Sequence, residues 1–576
     1  MAYIDRFDFE LNSLGEIRSL KHRKNKVGEN WPVVYVLNDD TEAYVGQTIN
    51  AARRAEQHLG NPAKHNLTEI RIISDDDFNI SVVLDLESYL IKHMAADGKF
   101  VLLNGNNGIQ DHDYYERDRY EDEFKKIWNM LHKHGVVKNS IKAIENSELF
   151  KYSPYKSLGE EQRRAEHEIL AAFAAHSGDK NGVTIIVNGG AGTGKTILAI
   201  YLMKLFADIN AKGLGTSDPD EDDYLEEDAE YIYAAESIAG IEKIGIVFPQ
   251  GSLRTSLKDV FRSIGALSPD MVLDTSDVVN DYIKTGKKFD LLIVDEAHRL
   301  KCRNRGHLSY YPKFDKCNEA LGLDKMNGTE LDWIYLCSRN RIIFRDELQT
   351  IRPCDIETDV FRDILNNRYP CTLVEQALET QWRCKGGNDY IDYVRNILSC
   401  RQTEKRIIEN YDFKLYDDVD RMVNDIKELD GKLGLCRNAA GYAWKWISKN
   451  NKLLYDIVID GNQYRWNRTY DNWITSDNAI NEIGCIHTVQ GYDLNYLGVI
   501  IGEDIKYNNT TGQIYADKTC YFDQQGKSGV ADDQAALRDY LTNIYLTLMT
   551  RGIKGTYVYV CDPALREYMA QYIDKA

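Results

Sequence analysis

At 576 residues, with 43% hydrophobic and 28% charged residues, the chain is too long for one core and too apolar for disorder, so about two to four globular domains are expected. No apolar run approaches the ~20 residues that span a bilayer, and the opening MAYIDRFDFELN lacks a signal-peptide core, so a membrane protein is set aside and a cytoplasmic one expected. The net charge of −19 argues against avid non-specific binding to polyanions and leaves any nucleic-acid contact to local basic grooves.

Residues 1–30 carry a candidate amphipathic helix and the basic run Lys21-His22-Arg23-Lys24-Asn25-Lys26, expected to be a solvated surface stretch. Val33–Leu37, the polar turn Asn38-Asp39-Asp40 and Glu42–Thr48 predict a β-hairpin. Ile49–Leu59 predicts a helix on which Arg54 and His58, four apart, share a face. Ser81–Met94 predicts an apolar-striped helix containing Glu87, followed by Val101-Leu102-Leu103-Asn104-Gly105.

On these residues the segment 31–112 resembles the GIY-YIG nuclease family. Val34-Tyr35-Val36 stands for the first signature triplet, without its Gly and Ile, and Tyr44-Val45-Gly46 for the second. The resemblance implies a small α/β nuclease domain with a catalytic set of Tyr35, Tyr44, Arg54, His58, Glu87 and Asn104, Glu87 holding Mg²⁺ or Mn²⁺. Those residue types suit phosphodiester hydrolysis, which needs a base near the attacking water, a cation on the phosphorane charge and a metal. A free tyrosine has a pKa of about 10, so Tyr35 can act as base only beside cations. A guanidinium fork suits phosphate, and a carboxylate suits a hard divalent ion.

Between Tyr114 and Lys133, Phe124, Ile127, Trp128 and Leu131 form one helical apolar stripe, expected to dock a linker helix (113–157) onto a neighbouring domain. Then comes the densest signal in the chain. The apolar strand Val183–Val187 leads into Gly189-Gly190-Ala191-Gly192-Thr193-Gly194-Lys195-Thr196, which fits G-x-x-x-x-G-K-[ST], and an apolar-faced helix Ile197–Phe206 follows. Strand, loop and helix in that order predict a phosphate cradle: glycines turn backbone N–H groups inward and the helix N-terminus adds positive charge. Lys195 would reach the β/γ-phosphates of a nucleoside triphosphate, and Thr196 would hold Mg²⁺. Gln162 just upstream could read adenine through its amide. Phe289–Val294 predicts a strand ending in Asp295-Glu296, with Asp295 joining Thr196 on Mg²⁺ and Glu296 acting on the attacking water.

The segment 158–576 resembles a superfamily-1 helicase motor, most closely the Schlafen-group DNA/RNA helicase domain. The ordered series is Ile342–Gln349, Leu378–Arg383, Glu482–Asp493 and Tyr545–Gly552. It implies two RecA-like α/β domains (158–375 and 376–576), with Gln349 sensing the γ-phosphate and Gln490 and Gly491 linking nucleic acid to ATP. Arg383 and Arg551 would reach in from the second domain. The loop residues Gly189, Gly192 and Gly194 complete the nucleotide set.

Asp218–Glu230 holds nine acidic residues and no Lys or Arg, and without it the net charge falls from −19 to −10; it is expected to be a solvated insert in the first motor domain. The Tyr/Trp-rich stretch Tyr442–Trp473 is expected to be core packing rather than a base-stacking platform. The eleven cysteines all lie beyond residue 300 and form no C-x-x-C pair, so reduced thiols are expected rather than disulfides or zinc.

The sequence therefore predicts an α/β nuclease–motor fusion that uses ATP and Mg²⁺ (or Mn²⁺ at the nuclease site) and acts on DNA, with RNA possible. Its resemblance to bacterial nuclease–helicase fusions implies defence against phage or foreign DNA. Two alternatives remain open: processing of the cell's own DNA, or an ATP-driven binding switch with a degenerate nuclease.

Overall fold

The structure is a computed structural model that describes residues 2–104, 114–155, 158–190, 192–212, 241–303, 311–346, 355–379, 384–449, 451–469, 473–476, 478–489, 492–523, 527 and 533–576. The chain divides into two compact units: Met1–Arg163 with Ile197–Gly240 and Arg254–Val272, and Arg164–Thr196 with Ile241–Leu253 and Leu273–Ala576.

The first unit is built on a five-stranded sheet of β1 (Tyr3–Asp8), β2 (Val33–Asn38), β3 (Glu42–Thr48), β4 (Glu69–Ser74) and β5 (Val101–Leu102), in the order β1-β4-β2-β3-β5. The expected hairpin is β2–β3, antiparallel with Tyr35 opposite Gly46. Its turn is fixed by Asp39, whose carboxylate accepts the N–H groups of Thr41 and Glu42 at 2.6 Å each. The start of the chain is a strand, β1, antiparallel to β4 from Tyr3↔Ser74 to Asp8↔Glu69, and the helix expected within residues 1–30 is Leu14–Ser19, led in by a 3-10 turn at Leu11–Ser13. The sheet therefore begins well before residue 31. Two neighbours in the basic run are paired: His22 Nε2 lies 2.6 Å from Asp5, and the exposed Arg23 pairs with Asp76 at 2.7 Å.

Helix Ala51–Leu59 starts at Asn50, whose side chain accepts the Arg53 N–H, an N-cap that satisfies one otherwise orphaned donor. Helix Ile80–Asp97 is capped the same way by Asn79 and packs on β2 and β3. The apolar stripe of Phe124, Ile127, Trp128 and Leu131 is fully buried in helix Arg117–Lys133. It lies on helix Ile80–Asp97, with the rings of Tyr89 and Phe124 at 5.5 Å and of His93 and Trp128 at 5.7 Å. Asp97 then receives the backbone N–H groups of Lys138 and Asn139 at 2.8 and 2.7 Å. This segment is clamped to the sheet domain rather than spaced away from it.

The second unit contains two six-stranded sheets of RecA-like type. The first is ordered β11 (Thr372–Leu378), β6 (Val183–Gly189), β10 (Ser338–Arg345), β9 (Phe289–Val294), β7 (Ile244–Val247) and β8 (Val272–Leu273). It is parallel from β11 through β7. Its central strands carry the apolar runs Ile185–Val187, Ile342–Phe344 and Leu291–Val294 because both faces are covered. Ile343 of β10 pairs with Ile186 on one side and Val294 on the other. That register brings the carboxyl ends of β6, β9 and β10 to one edge, where open parallel sheets bind ligands.

The second sheet runs Ile483–Cys485, Cys436–Ala440, Leu494–Ile501, Gly552–Val560, Asp412–Tyr416, Asp574–Lys575, every neighbouring pair parallel. The Tyr/Trp-rich stretch supplies core here. Trp466 and Trp473 are buried, and a Cβ on Gly484 would lie 2.5 Å from the Trp473 ring. Among the described residues, no helix is long and apolar enough to cross a membrane, and the ten cysteines are free thiols.

Candidate functional site

At the shared edge of the first motor sheet, β6 ends in the glycine-rich loop. Gly192 and Gly194 take φ of 84° and 79°, a region where a side chain is strained, which is why these two positions need glycine. Gly189 is excluded from carrying a side chain for another reason: a Cβ there would sit 2.6 Å from Thr193 Oγ1. Helix Lys195–Lys212 begins directly after the loop, so its N-terminal N–H groups and partial positive charge face the cradle.

Lys195 is buried; its ammonium donates to the carbonyls of Gly189 and Gly190, both at 2.7 Å, and lies 3.9 Å from Asp346 at the end of β10. Thr196 Oγ1 donates to Asp295 Oδ2 at 2.5 Å. Asp295 is fully buried at the end of β9, and its other oxygen, Oδ1, has no hydrogen-bond partner. An orphaned carboxylate oxygen in a buried site is costly unless something completes it. Burial and the neighbouring Glu296 charge push the Asp295 carboxyl upward, and a divalent cation would relieve both. A hydroxyl and a carboxylate, both hard oxygen donors, fit Mg²⁺.

Glu296 is held in the left-handed region at φ 52°, a local strain typical of residues aimed for function. Burial works against its charge. Nonetheless His298 and Arg299 outweigh that and hold the carboxyl well below its usual range. Arg299 Nε donates to Glu296 Oε2 at 2.7 Å. His298 Nε2 lies 3.3 Å from the same oxygen, without hydrogen-bond geometry. His298 also accepts the Asp346 N–H at Nδ1, 3.3 Å away, so it links the ends of β9 and β10. Sequence reasoning gave His298 no role; standing two residues beyond Glu296 was the signal.

The other motor residues stand as follows. Gln162, in the first unit, is buried in helix Glu160–His176 and its amide oxygen accepts the Gly159 N–H at 2.9 Å. Arg551 is buried between helix Gln534–Met549 and strand Gly552–Val560, its carbonyl accepting the Leu494 N–H at 3.1 Å. Gln349, Arg383, Gln490 and Gly491, and the acidic insert 218–230, lie outside the described residues.

A second constellation sits in the first unit. The Tyr35 hydroxyl is 2.7 Å from His58 Nε2 and receives Arg54 Nε–H at 3.1 Å. Helical spacing makes this possible, since Arg54 and His58 lie one turn apart on helix Ala51–Leu59. The phenol has room only because residue 46 is glycine: a Cβ there would be 2.2 Å from the Tyr35 oxygen. Tyr44 packs its ring against Tyr35 and His58, at 6.3 and 5.3 Å between centroids. Asn104 clips the chain to β3, its amide exchanging hydrogen bonds with Val45 N at 3.1 Å and Val45 O at 2.8 Å. Glu87 stands partly exposed in helix Ile80–Asp97. Among the described residues no group of three or more His, Cys, Asp or Glu could hold a metal. Glu87 alone therefore fits only a cation that keeps most of its waters, as Mg²⁺ does. Lys64, which sequence reasoning missed, joins the cluster: its Nζ lies 3.0 Å from His58 Nδ1 and 3.6 Å above the Tyr44 ring.

Residues 182–562 match the Schlafen group 3 DNA/RNA helicase domain family. An uncharacterized protein of Saccharomyces cerevisiae (strain S288c) is 25% identical over 447 residues, which cover 71% of this chain and 90% of that protein. Among solved structures the chain is similar to the Bacteroides Pif1 helicase in complex with ADP-AlF3 and ssDNA, at 12% identity over 70% of this chain and 92% of that one, with a TM-score of 0.27. It is also similar to the arterivirus helicase, nonstructural protein 10, at 10% identity over 69% of this chain and 63% of that one, again with a TM-score of 0.27. The family match leaves residues 1–181, and so the five-stranded sheet, outside it, and runs from the strand before the glycine-rich loop past the last helicase motif. The chain belongs to the Schlafen group 3 DNA/RNA helicase domain family.

Proposed function

We propose that the chain couples ATP hydrolysis to movement on DNA or RNA and carries, on its N-terminal sheet, a metal-dependent endonuclease of GIY-YIG type. The motor reading is carried by one observation: Thr196 and Asp295 meet at 2.5 Å with the second Asp295 oxygen buried and unpartnered. Thr196 and Asp295 would hold Mg²⁺, which supplies positive charge to the β- and γ-phosphates. Lys195 exchanges its two loop carbonyls for phosphate oxygens. Glu296, kept ionised by His298 and Arg299, orients the attacking water and takes its proton. Arg383 and Arg551 would close on the γ-phosphate from the second motor domain; such arginines are worth about 10³–10⁵ in rate.

Glu296→Gln tests this assignment. The amide keeps the packing but cannot take a proton, so ATP binding should stay near wild type while turnover falls by about 10²–10⁴. Loss of nucleotide binding, read by a fluorescent ATP analogue, would assign Glu296 to the binding site instead.

The nuclease reading is supported by two side chains, His58 and Arg54, converging on the Tyr35 oxygen. In it Tyr35 takes a proton from the attacking water as the water oxygen bonds to phosphorus. The bond to the leaving oxygen breaks, that oxygen takes the bonding pair and is protonated from solvent, Arg54 faces the phosphorane charge, and Glu87 would hold the metal. We place the fusion in defence against phage or foreign DNA on its resemblance to bacterial nuclease–helicase fusions.

A further inference from the structure

We propose that Lys64 is a positioning residue that fixes the tautomer of His58 and thereby decides which way the hydrogen bond to Tyr35 runs. Lys64 ends the one-turn helix Pro62–Lys64, which Asn61 caps by accepting the Ala63 N–H. That turn folds the chain back onto helix Ala51–Leu59. The lysine is 6% exposed and His58 1% exposed, so neither group exchanges readily with water. The Lys64 ammonium lies 3.6 Å over the Tyr44 ring, and such a ring face stabilises a cation.

An ammonium has three donors and no acceptor. At 3.0 Å from His58 Nδ1, it therefore requires a lone pair on that nitrogen, and the single proton of the neutral imidazole is placed on Nε2. Nε2 is the atom 2.7 Å from the Tyr35 oxygen, so His58 donates and Tyr35 accepts. Arg54 Nε, at 3.1 Å, can only donate to the same oxygen. Two N–H donors then converge on the phenol oxygen, an arrangement that favours negative charge there. With the opposite tautomer Nε2 would accept, the phenol would have to donate to it, and Tyr35 could not serve as a base. Lys64 thus acts on Tyr35 through His58.

The catalytic consequence rests on the nuclease reading, but the tautomer does not, and the experiment separates the two. In protein labelled with ¹⁵N-histidine, long-range ¹H–¹⁵N correlations distinguish the two neutral tautomers, and His58→Gln identifies the His58 signal. Wild type should show the Nε2–H form. Lys64→Met, which removes the donor at similar length, should move His58 to the Nδ1–H form or to exchange between the two. The same substitution should lower Mn²⁺-dependent cleavage of DNA by about 10²-fold, the scale of a misplaced catalytic group. Lys64→Arg should keep the wild-type signal and most of the cleavage. An Nδ1–H signal in wild type, or an unchanged signal in Lys64→Met, overturns the proposal. If Lys64→Met does not fold, the wild-type tautomer alone decides. If wild type shows the Nε2–H form yet cuts no nucleic acid, the Lys64 role stands and the nuclease reading falls.

Discussion

Replacing Lys195 by Ala is expected to lower ATP hydrolysis by about 10²–10³, the scale of removing one preorganised cationic donor from a phosphate site. The expectation follows from where the ammonium is held. It is buried, positioned by two loop carbonyls, and balanced by Asp346 at 3.9 Å. Asp346 and Asp295 are both buried at this edge. Without Lys195 they would repel a polyphosphate with no fixed cation between, so nucleotide affinity should fall along with turnover. Steady-state ATP hydrolysis and equilibrium binding of a fluorescent analogue measure the two effects separately. Wild-type turnover in the variant would mean that the glycine-rich loop is not the nucleotide site.

The second large effect belongs to the N-terminal sheet. Arg54→Ala should lower Mn²⁺-dependent cleavage by about 10²–10³, through loss of the cation facing the phosphorane charge. Tyr35→Phe should do so through loss of the base, and Glu87→Ala through loss of the metal ligand. Only the last should also weaken Mn²⁺ binding, read by electron paramagnetic resonance of the free ion. All three should leave ATP hydrolysis near wild type, because Tyr35, Arg54 and Glu87 belong to the first unit while Lys195, Thr196 and Asp295 belong to the second. If all three variants keep full cleavage, the GIY-YIG reading of this sheet falls.

The motor edge was legible because its signals are local and continuous. β6 and β9 carry short apolar runs, Ile185–Val187 and Leu291–Val294, that lead into chemistry, Gly189 to Thr196 in one case and Asp295-Glu296 in the other. Asp346 follows the short apolar run Ile342–Phe344 of β10 in the same way. β1 was not legible: Tyr3–Asp8 carries Asp5, Arg6 and Asp8, and it becomes a strand by pairing with β4 far along the chain. Contacts distant in sequence leave no period to read. Lys64 failed for a related reason. A lysine in a Pro-Ala-Lys turn looks solvated, and only the fold of that turn against His58 buries it. Glu87 was read as part of an apolar-striped helix, and Ile80–Asp97 is that helix. Its partial exposure beside the buried Val83 and Ile91 is a property of packing that the stripe alone does not fix.

The central claim is that this chain is an ATP-driven nucleic-acid motor, and the direct test is ATP turnover with and without nucleic acid. Single-stranded and duplex DNA and RNA should be compared at low salt, where the chain's net charge of −19 still permits local basic grooves to bind. The account predicts that at least one of the four raises turnover severalfold over the protein alone, and that Lys195→Ala abolishes the increase. Turnover that is the same with all four as with none would contradict it.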